Sequence, residues 1–191
     1  MAHFLHQIFR EENFKPDELA LVLKQFHRVD FKKNDYLIPE GKTANYYYFI
    51  EEGFARSYAI DLEGNAVTTK FFTPKDIVID WRSYFLKTPT REYIQAITPC
   101  ICWQITFDNF MNLFSIEAFR EVGRTKLVTN YFELKNHSTS LIADQAKDRY
   151  LALVKQQPEV VQNVPLKLIA SYLGITDTSL SRIRKDIFDQ K

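Results

Sequence analysis

The sequence predicts an α+β chain, with antiparallel strands first and helices after. Three observations give this class. Between residues 29 and 106, short β-branched and aromatic runs are broken by turn signals at roughly ten-residue spacing, the texture of an antiparallel sandwich or small barrel. Past residue 106 the breaks stop, and apolar residues recur at helical spacing, longest over residues 117–141. Residues 164–185 then read as two short helices about a tight turn. At 191 residues, with 46% hydrophobic and 26% charged side chains, the chain can bury an ordinary core as one large domain or two small ones.

Each element has a local cause. Over residues 16–27, Pro16 suits a first helical turn, Asp17 and Glu18 complement the helix dipole, and Leu19, Val22, Leu23 and Phe26 form one apolar stripe. The strand region is punctuated by Lys33-Asn34-Asp35, Glu40-Gly41, Glu52-Gly53, the run from Asp61 to Asn65, Thr73-Pro74 and Lys87-Thr88-Pro89. Residues 53–59 alternate large and small side chains, as a half-buried strand does. Residues 107–114 suit a short helix with Asp108 in its first turn.

In the long helix, Leu127, Tyr131, Leu134, Ser138 and Leu141 alternate steps of four and three, a heptad seam. Val128 and Phe132 widen its apolar surface. Such a stripe can cover the helix's own strand domain or a second copy of the chain, and the period favours the second copy. Leu127, Tyr131, Leu134 and Leu141 are thus the expected dimer interface. Ser138, Thr139 and Ser140 are poor formers of helix interior, so a bend is expected near residues 141–144. Asp144 would then cap a helix over residues 145–156, ending before Pro158.

A net charge of +1 excludes a global positive field, so any nucleic-acid surface must be a local patch. Cys100 and Cys102 lie two apart on a strand, where a disulfide is geometrically poor, and read as core fillers. The first residues lack the basic and apolar segments of a secretory leader, and no run approaches the ~18 apolar residues of a membrane helix. The expected compartment is the cytoplasm.

The densest signal runs from Val164 to Lys185. Ala170 is small where two helices cross closely, and Gly174, four residues on, permits a backbone conformation that a side chain resists. Ile169, Leu173, Ile175, Leu180 and Ile183 fall where the two helices face each other. Thr176 is a good N-cap, and Asp177 suits the first turn. These spacings are those of a helix-turn-helix, whose second helix reads DNA. That helix sorts into faces, with Leu180, Ile183 and Ile187 inward and Asp177, Thr178, Ser181, Arg182 and Lys185 outward. Short hydrogen-bonding groups at its start can read base edges, and cations further along can hold phosphates. The DNA-binding candidates are Thr176, Asp177, Thr178, Ser181, Arg182 and Lys185. A solvated helical hairpin would share the apolar pattern, but it gives no reason for Arg182, Arg184 and Lys185 to cluster on a nearly neutral chain.

A strand domain, a long helix and a terminal helix-turn-helix, in that order, resemble the catabolite activator and fumarate-nitrate regulator (Crp/Fnr) family. The runs FKKNDYLIPEG, from Phe31 to Gly41, and YFIEEGFARSY, from Tyr48 to Tyr58, look like the opening strands of its jelly-roll-like cyclic-nucleotide-binding β-roll. The run VPLKLIASYLGI, from Val164 to Ile175, looks like its helix-turn-helix. The resemblance implies a β-roll sensor domain with flanking helices over residues 1–115, a dimerisation helix over 116–141 and a DNA-binding domain over 142–191. It implies a homodimeric transcription regulator that couples an effector pocket to the spacing of two recognition helices on palindromic double-stranded DNA. There is room for RNA polymerase and a small effector as further partners.

The ligand residues depart from the family pattern. Relatives that bind cyclic AMP carry a Phe-Gly-Glu-type turn whose Glu holds the ribose 2′-OH, then an Arg-Ser/Thr-Ala for the cyclic phosphate. Here Ile79 stands at the glycine place and the shorter Asp80 at the glutamate place. Downstream, Thr90-Arg91-Glu92 shifts the arginine by one residue, which on a strand reverses its face, and Glu92 would repel a phosphate. The helix position that touches the base in some relatives falls near Leu134-Lys135. Cyclic AMP is therefore expected to bind weakly or not at all. Ile79, Asp80, Arg82, Arg91 and Glu92 are candidates to line a pocket for another ligand, or are plain surface pairs.

The family's iron–sulfur sensors need a cysteine cluster that this N-terminus lacks, and His3, His6, His27 and His137 share no ligand spacing. No metal, haem or iron–sulfur cluster is expected, and the cofactor is otherwise left open. Residues 186–191 are too few for the family's β-hairpin wing, so wing contacts are expected to be absent. Two rival functions remain. A cupin-like enzyme would need a histidine-bearing metal triad on its strands, and residues 29–106 contain no histidine, so no enzymatic activity is expected. A ligand-binding module whose C-terminal helices contact only protein would not need the basic outer face near Arg182.

Overall fold

The structure, a computed structural model, describes residues 3–189. Met1, Ala2, Gln190 and Lys191, on which the expectations about a leader and a wing partly rest, lie outside the described residues. The chain opens with helices α1 (His3–Ile8) and α2 (Pro16–Lys24). Strands β1 (His27–Phe31), β2 (Tyr36–Ile38), β3 (Tyr46–Glu52), β4 (Ala55–Ile60), β5 (Ala66–Phe72) and β6 (Ile77–Val78) follow. A short helix α3 (Trp81–Leu86) precedes β7 (Tyr93–Ala96) and β8 (Cys100–Thr106). Helices complete the chain: α4 (Phe107–Asn112), α5 (Glu117–Ala143), α6 (Ala146–Gln156), α7 (Pro158–Asn163), α8 (Leu166–Tyr172) and α9 (Asp177–Asp189).

The strands form two antiparallel sheets, in the orders β1-β8-β3-β6 and β2-β7-β4-β5. Phe49, Ile50, Cys102 and Ile105 of the first sheet share one core with Ile38, Ala55, Phe72 and Ile94 of the second. Both cysteines are buried free thiols, as their strand spacing predicts. Phe9 fastens the N-terminal helices to this core, with its ring 5.4 Å from Phe26, 5.7 Å from Phe49 and 5.8 Å from Phe119. The turn between β3 and β4 requires glycine: Gly53 has φ +93°, and a Cβ there would lie 2.2 Å from the Pro99 carbonyl oxygen.

Several expectations are corrected. Strand β4 is not half-buried, because Ala55, Arg56, Ser57 and Tyr58 are all buried. Ser57 turns one way to donate to Glu92, while the Arg56 guanidinium donates to Thr68 Oγ1 and lies 4.2 Å from the centre of the Tyr58 ring. Side chains thus cover the face that alternation assigns to water. Helix α5 runs through Ser138, Thr139 and Ser140 to Ala143, two residues past the expected boundary, with Ser140 Oγ donating back to the His137 carbonyl. Asp144 ends α5 and does not cap α6, which starts after Gln145 with no side-chain cap. The Asp144 carbonyl instead accepts from Arg149 Nη1 at 2.6 Å.

Candidate nucleic-acid interface and effector cavity

Helices α8 and α9 meet about the tight turn that the spacing predicts. Ile169, Ala170, Leu173 and Leu180 are each 1% exposed or less, and Val160 of α7 closes the same core. Gly174 has φ +67°. Its N–H donates to the Ser171 carbonyl and that of Ile175 to the Ala170 carbonyl, so the left-handed glycine satisfies the end of α8. Thr176 Oγ1 accepts from the Ser179 N–H at 3.2 Å and so caps α9.

On α9, Asp177, Thr178, Ser181, Arg182, Arg184 and Lys185 are exposed, while Ile183 and Ile187 are half-buried beneath them. None of the three cations forms an ion pair with another described residue. Thr176 differs from the other candidates, because its hydroxyl is held by the cap and by Ser179 Oγ at 2.9 Å. Its first task is to start the helix. Residues 186–189, where a wing would begin, continue α9.

Sequence reasoning missed Arg149. From α6 its Nε and Nη2 donate to the Leu173 carbonyl at 3.1 and 2.9 Å, while Nη1 holds Asp144. One guanidinium thereby joins the end of α5 to the turn between α8 and α9. No periodicity signals such a role, because the carbonyls that it meets come from distant helix ends.

Helix α5 presents polar side chains to its own chain. Lys126 Nζ donates to the Lys75 carbonyl at 3.0 Å, Asn130 and Glu133 receive Lys70, and the His137 ring stacks on Tyr172 at 3.9 Å. Burial, and then the Arg149 charge, hold His137 below the usual imidazole range. A quarter-turn round the helix, Leu127, Tyr131 and Leu134 are 46%, 60% and 59% exposed, and Val128 and Phe132 are exposed beside them. Leu141 is also exposed, although its Cδ2 would lie 3.3 Å from a Cβ at Gly174, so it serves the turn as well as the stripe.

A cavity of about 600 Å³ lies between the second sheet, α3 and α5. All five pocket candidates line it: Ile79, Asp80, Arg82, Arg91 and Glu92. Leu127, Tyr131 and Leu134 line it too, a second role that the heptad pattern does not reveal. Ile79 is 6% exposed and belongs to the core. The Asp80 carboxylate accepts from the Ser83 N–H at 2.9 Å and caps α3. Glu92 accepts from Ser57. Strand β7 begins only at Tyr93, so Arg91 lies in the preceding connection, and the expected reversal of its face does not apply. Neither Arg82 nor Arg91 pairs with a described carboxylate. Among the described residues, no group of three or more His, Cys, Asp or Glu could hold a metal ion.

Residues 28–117, from β1 to the start of α5, match the cyclic nucleotide-binding domain family. Solved structures extend the likeness past that domain into the C-terminal helices. FixK2 from Bradyrhizobium japonicum aligns with a TM-score of 0.73 at 19% identity, over 86% of this chain and 85% of its own. A CooA variant from Carboxydothermus hydrogenoformans aligns at 0.71 and 19% identity, over 98% of this chain and 84% of its own. The catabolite activator protein of Thermus thermophilus aligns at 0.58 and 16% identity, over 96% and 87%. No curated protein matches the chain in sequence. The family match and the solved structures together give the fold, a β-roll followed by a long helix and a run of C-terminal helices.

Proposed function

We propose that this chain is a dimeric, sequence-specific DNA-binding transcription regulator, acting in the cytoplasm and gated by a small effector in the cavity beside Arg82 and Arg91. The exposed face of α9 carries the reading. Arg182, Arg184 and Lys185 stand free of described carboxylates on a helix capped by Thr176 and rooted by Leu180. An arrangement of short polar groups followed by cations suits base edges and then phosphates. The dimer is supported by α5, which gives its polar side to its own chain and leaves Leu127, Tyr131 and Leu134 in water. A regulatory role is favoured over an enzymatic one by the shared regulator fold.

Selection from a random-sequence duplex pool tests this. Two-fold symmetry predicts a palindromic motif with half-sites roughly one DNA turn apart, about 34 Å between recognition helices. Recovery of no motif, with retention independent of sequence, would leave the C-terminal helices as a protein-contact surface.

Cyclic AMP is expected to bind more weakly than micromolar. Ile79 is packed in the core where relatives have glycine, and the Asp80 carboxylate is committed to capping α3. Calorimetry on the full chain checks this. A micromolar or tighter dissociation constant would show that Arg82 or Arg91 recruits the phosphate despite both departures.

A further inference from the structure

We propose that β5 is a relay between the cavity and the helix-turn-helix, in which an occupant acts on Thr69 and Lys70 and the change reaches α8 through Ser171 and Phe71. Its consequence for DNA rests on the regulator reading above; the mechanical coupling does not.

Strand β5 is the outer strand of its sheet, so one edge of its backbone has no strand to pair with. Ser171 of α8 fills part of that edge. Its Oγ accepts from the Thr68 N–H at 2.9 Å and donates to the Ala66 carbonyl at 3.2 Å. A single hydroxyl takes the donor and the acceptor that a neighbouring strand would otherwise take. Phe71 is 3% exposed, lies 5.0 Å from the Tyr172 ring, and belongs to the apolar core of the helix-turn-helix. The reading head is therefore built partly on the sensor's own strand.

The same strand serves the cavity. Ser57 pairs with Lys70 and Tyr58 with Thr68, so Thr69 is the extra residue of a bulge. A bulge re-aims its side chain, and here Thr69 lines the cavity with a buried hydroxyl that has no hydrogen-bond partner among the described residues. Lys70 lines it too, while reaching Asn130 and, at 3.7 Å, Glu133 on α5. A polar occupant thus meets an unpaired hydroxyl and a lysine held by one exposed carboxylate and one amide. Helix α5 closes the circuit, because His137 stacks on Tyr172 with the two rings only 2° from parallel. Tyr172 is held from both β5 and α5, and both elements wall the cavity. Two sites that bias one shared element are coupled, and the coupling is reciprocal.

Four full-length proteins test the relay: wild type, Lys70→Met, Ser171→Ala and the double variant. Lys70→Met alters the cavity wall and touches nothing on α8. Hydrogen exchange of amides in residues 166–172 is expected to quicken several-fold in Lys70→Met, together with residues 66–72. Ser171→Ala is expected to quicken residues 66–72 in turn. Binding to a selected duplex should be non-additive across the four proteins by about fivefold or more. Asn130→Leu repeats the cavity arm should Lys70→Met yield too little folded protein. Unchanged exchange in residues 166–172, or affinities additive within about twofold, would overturn the relay. If no protein binds any duplex, the regulator reading fails, and the exchange data still decide the coupling.

Discussion

The unmodified chain is expected to form dimers, and Leu134→Lys is expected to leave monomers. Leu134 is 59% exposed on a helix whose neighbouring polar stripe already serves its own chain. Burying such a leucine gains ~1.5–3 kcal/mol per side chain, and Leu127 and Tyr131 stand on the same stripe. A lysine at the seam forfeits that gain and leaves a charge without a partner, which costs roughly 3–5 kcal/mol where burial is complete. A two-fold interface counts the change twice, so dimer affinity should fall by at least about a hundredfold. Thr129→Lys, on another side of α5, should change nothing. Light scattering at micromolar concentration separates the outcomes. A monomeric unmodified chain would contradict the seam, and an unperturbed Leu134→Lys dimer would place the interface elsewhere. The variant should stay folded, because Phe119 anchors the start of α5 in the β-domain core.

The sequence shows most clearly the elements whose cause is local. Helix α5 is legible because its periodicity runs for many turns, and the helix-turn-helix because Ala170, Gly174 and Thr176 each answer a specific backbone need. Helix α7 is not legible. Its six residues are too few to show a period, and Val160 is its one buried residue. Helix α3 hides in the same way within the strand region, marked only by Asp80 acting as a cap. Roles set by tertiary structure are invisible beforehand. Asp144 looks like an N-cap, yet the carbonyl that Arg149 needs makes it the end of α5. Phe71 and Ile97 of the β-domain also lie in the core of the C-terminal helices, across the expected boundary at residue 142. The pocket candidates rest on the family's turn pattern. The cavity gathers all five, but the strand-parity argument about Arg91 fails because no strand exists at that position.

If α9 reads bases, loss of Arg182 must change which sequences the chain prefers. Arg182 projects from the exposed face one turn beyond Thr178, and its planar fork can engage guanine O6 and N7 together. Lys185 lies further along and offers a point charge suited to phosphate. Asp177, at the helix start, cannot accept from guanine. It should favour a cytosine amino group or sharpen register by repelling phosphate. Lys185→Ala should weaken all duplexes alike and reduce the salt slope by ~1. Arg182→Ala should instead cost ~1–3 kcal/mol and relax preference at one base pair in each half-site. The decisive measurement is duplex selection with the unmodified chain and with Arg182→Ala, side by side. The expected result is a palindromic motif that loses information at one symmetric pair of positions in the variant. An unchanged motif with equal loss of affinity across all sequences would contradict it and reduce Arg182 to a backbone contact.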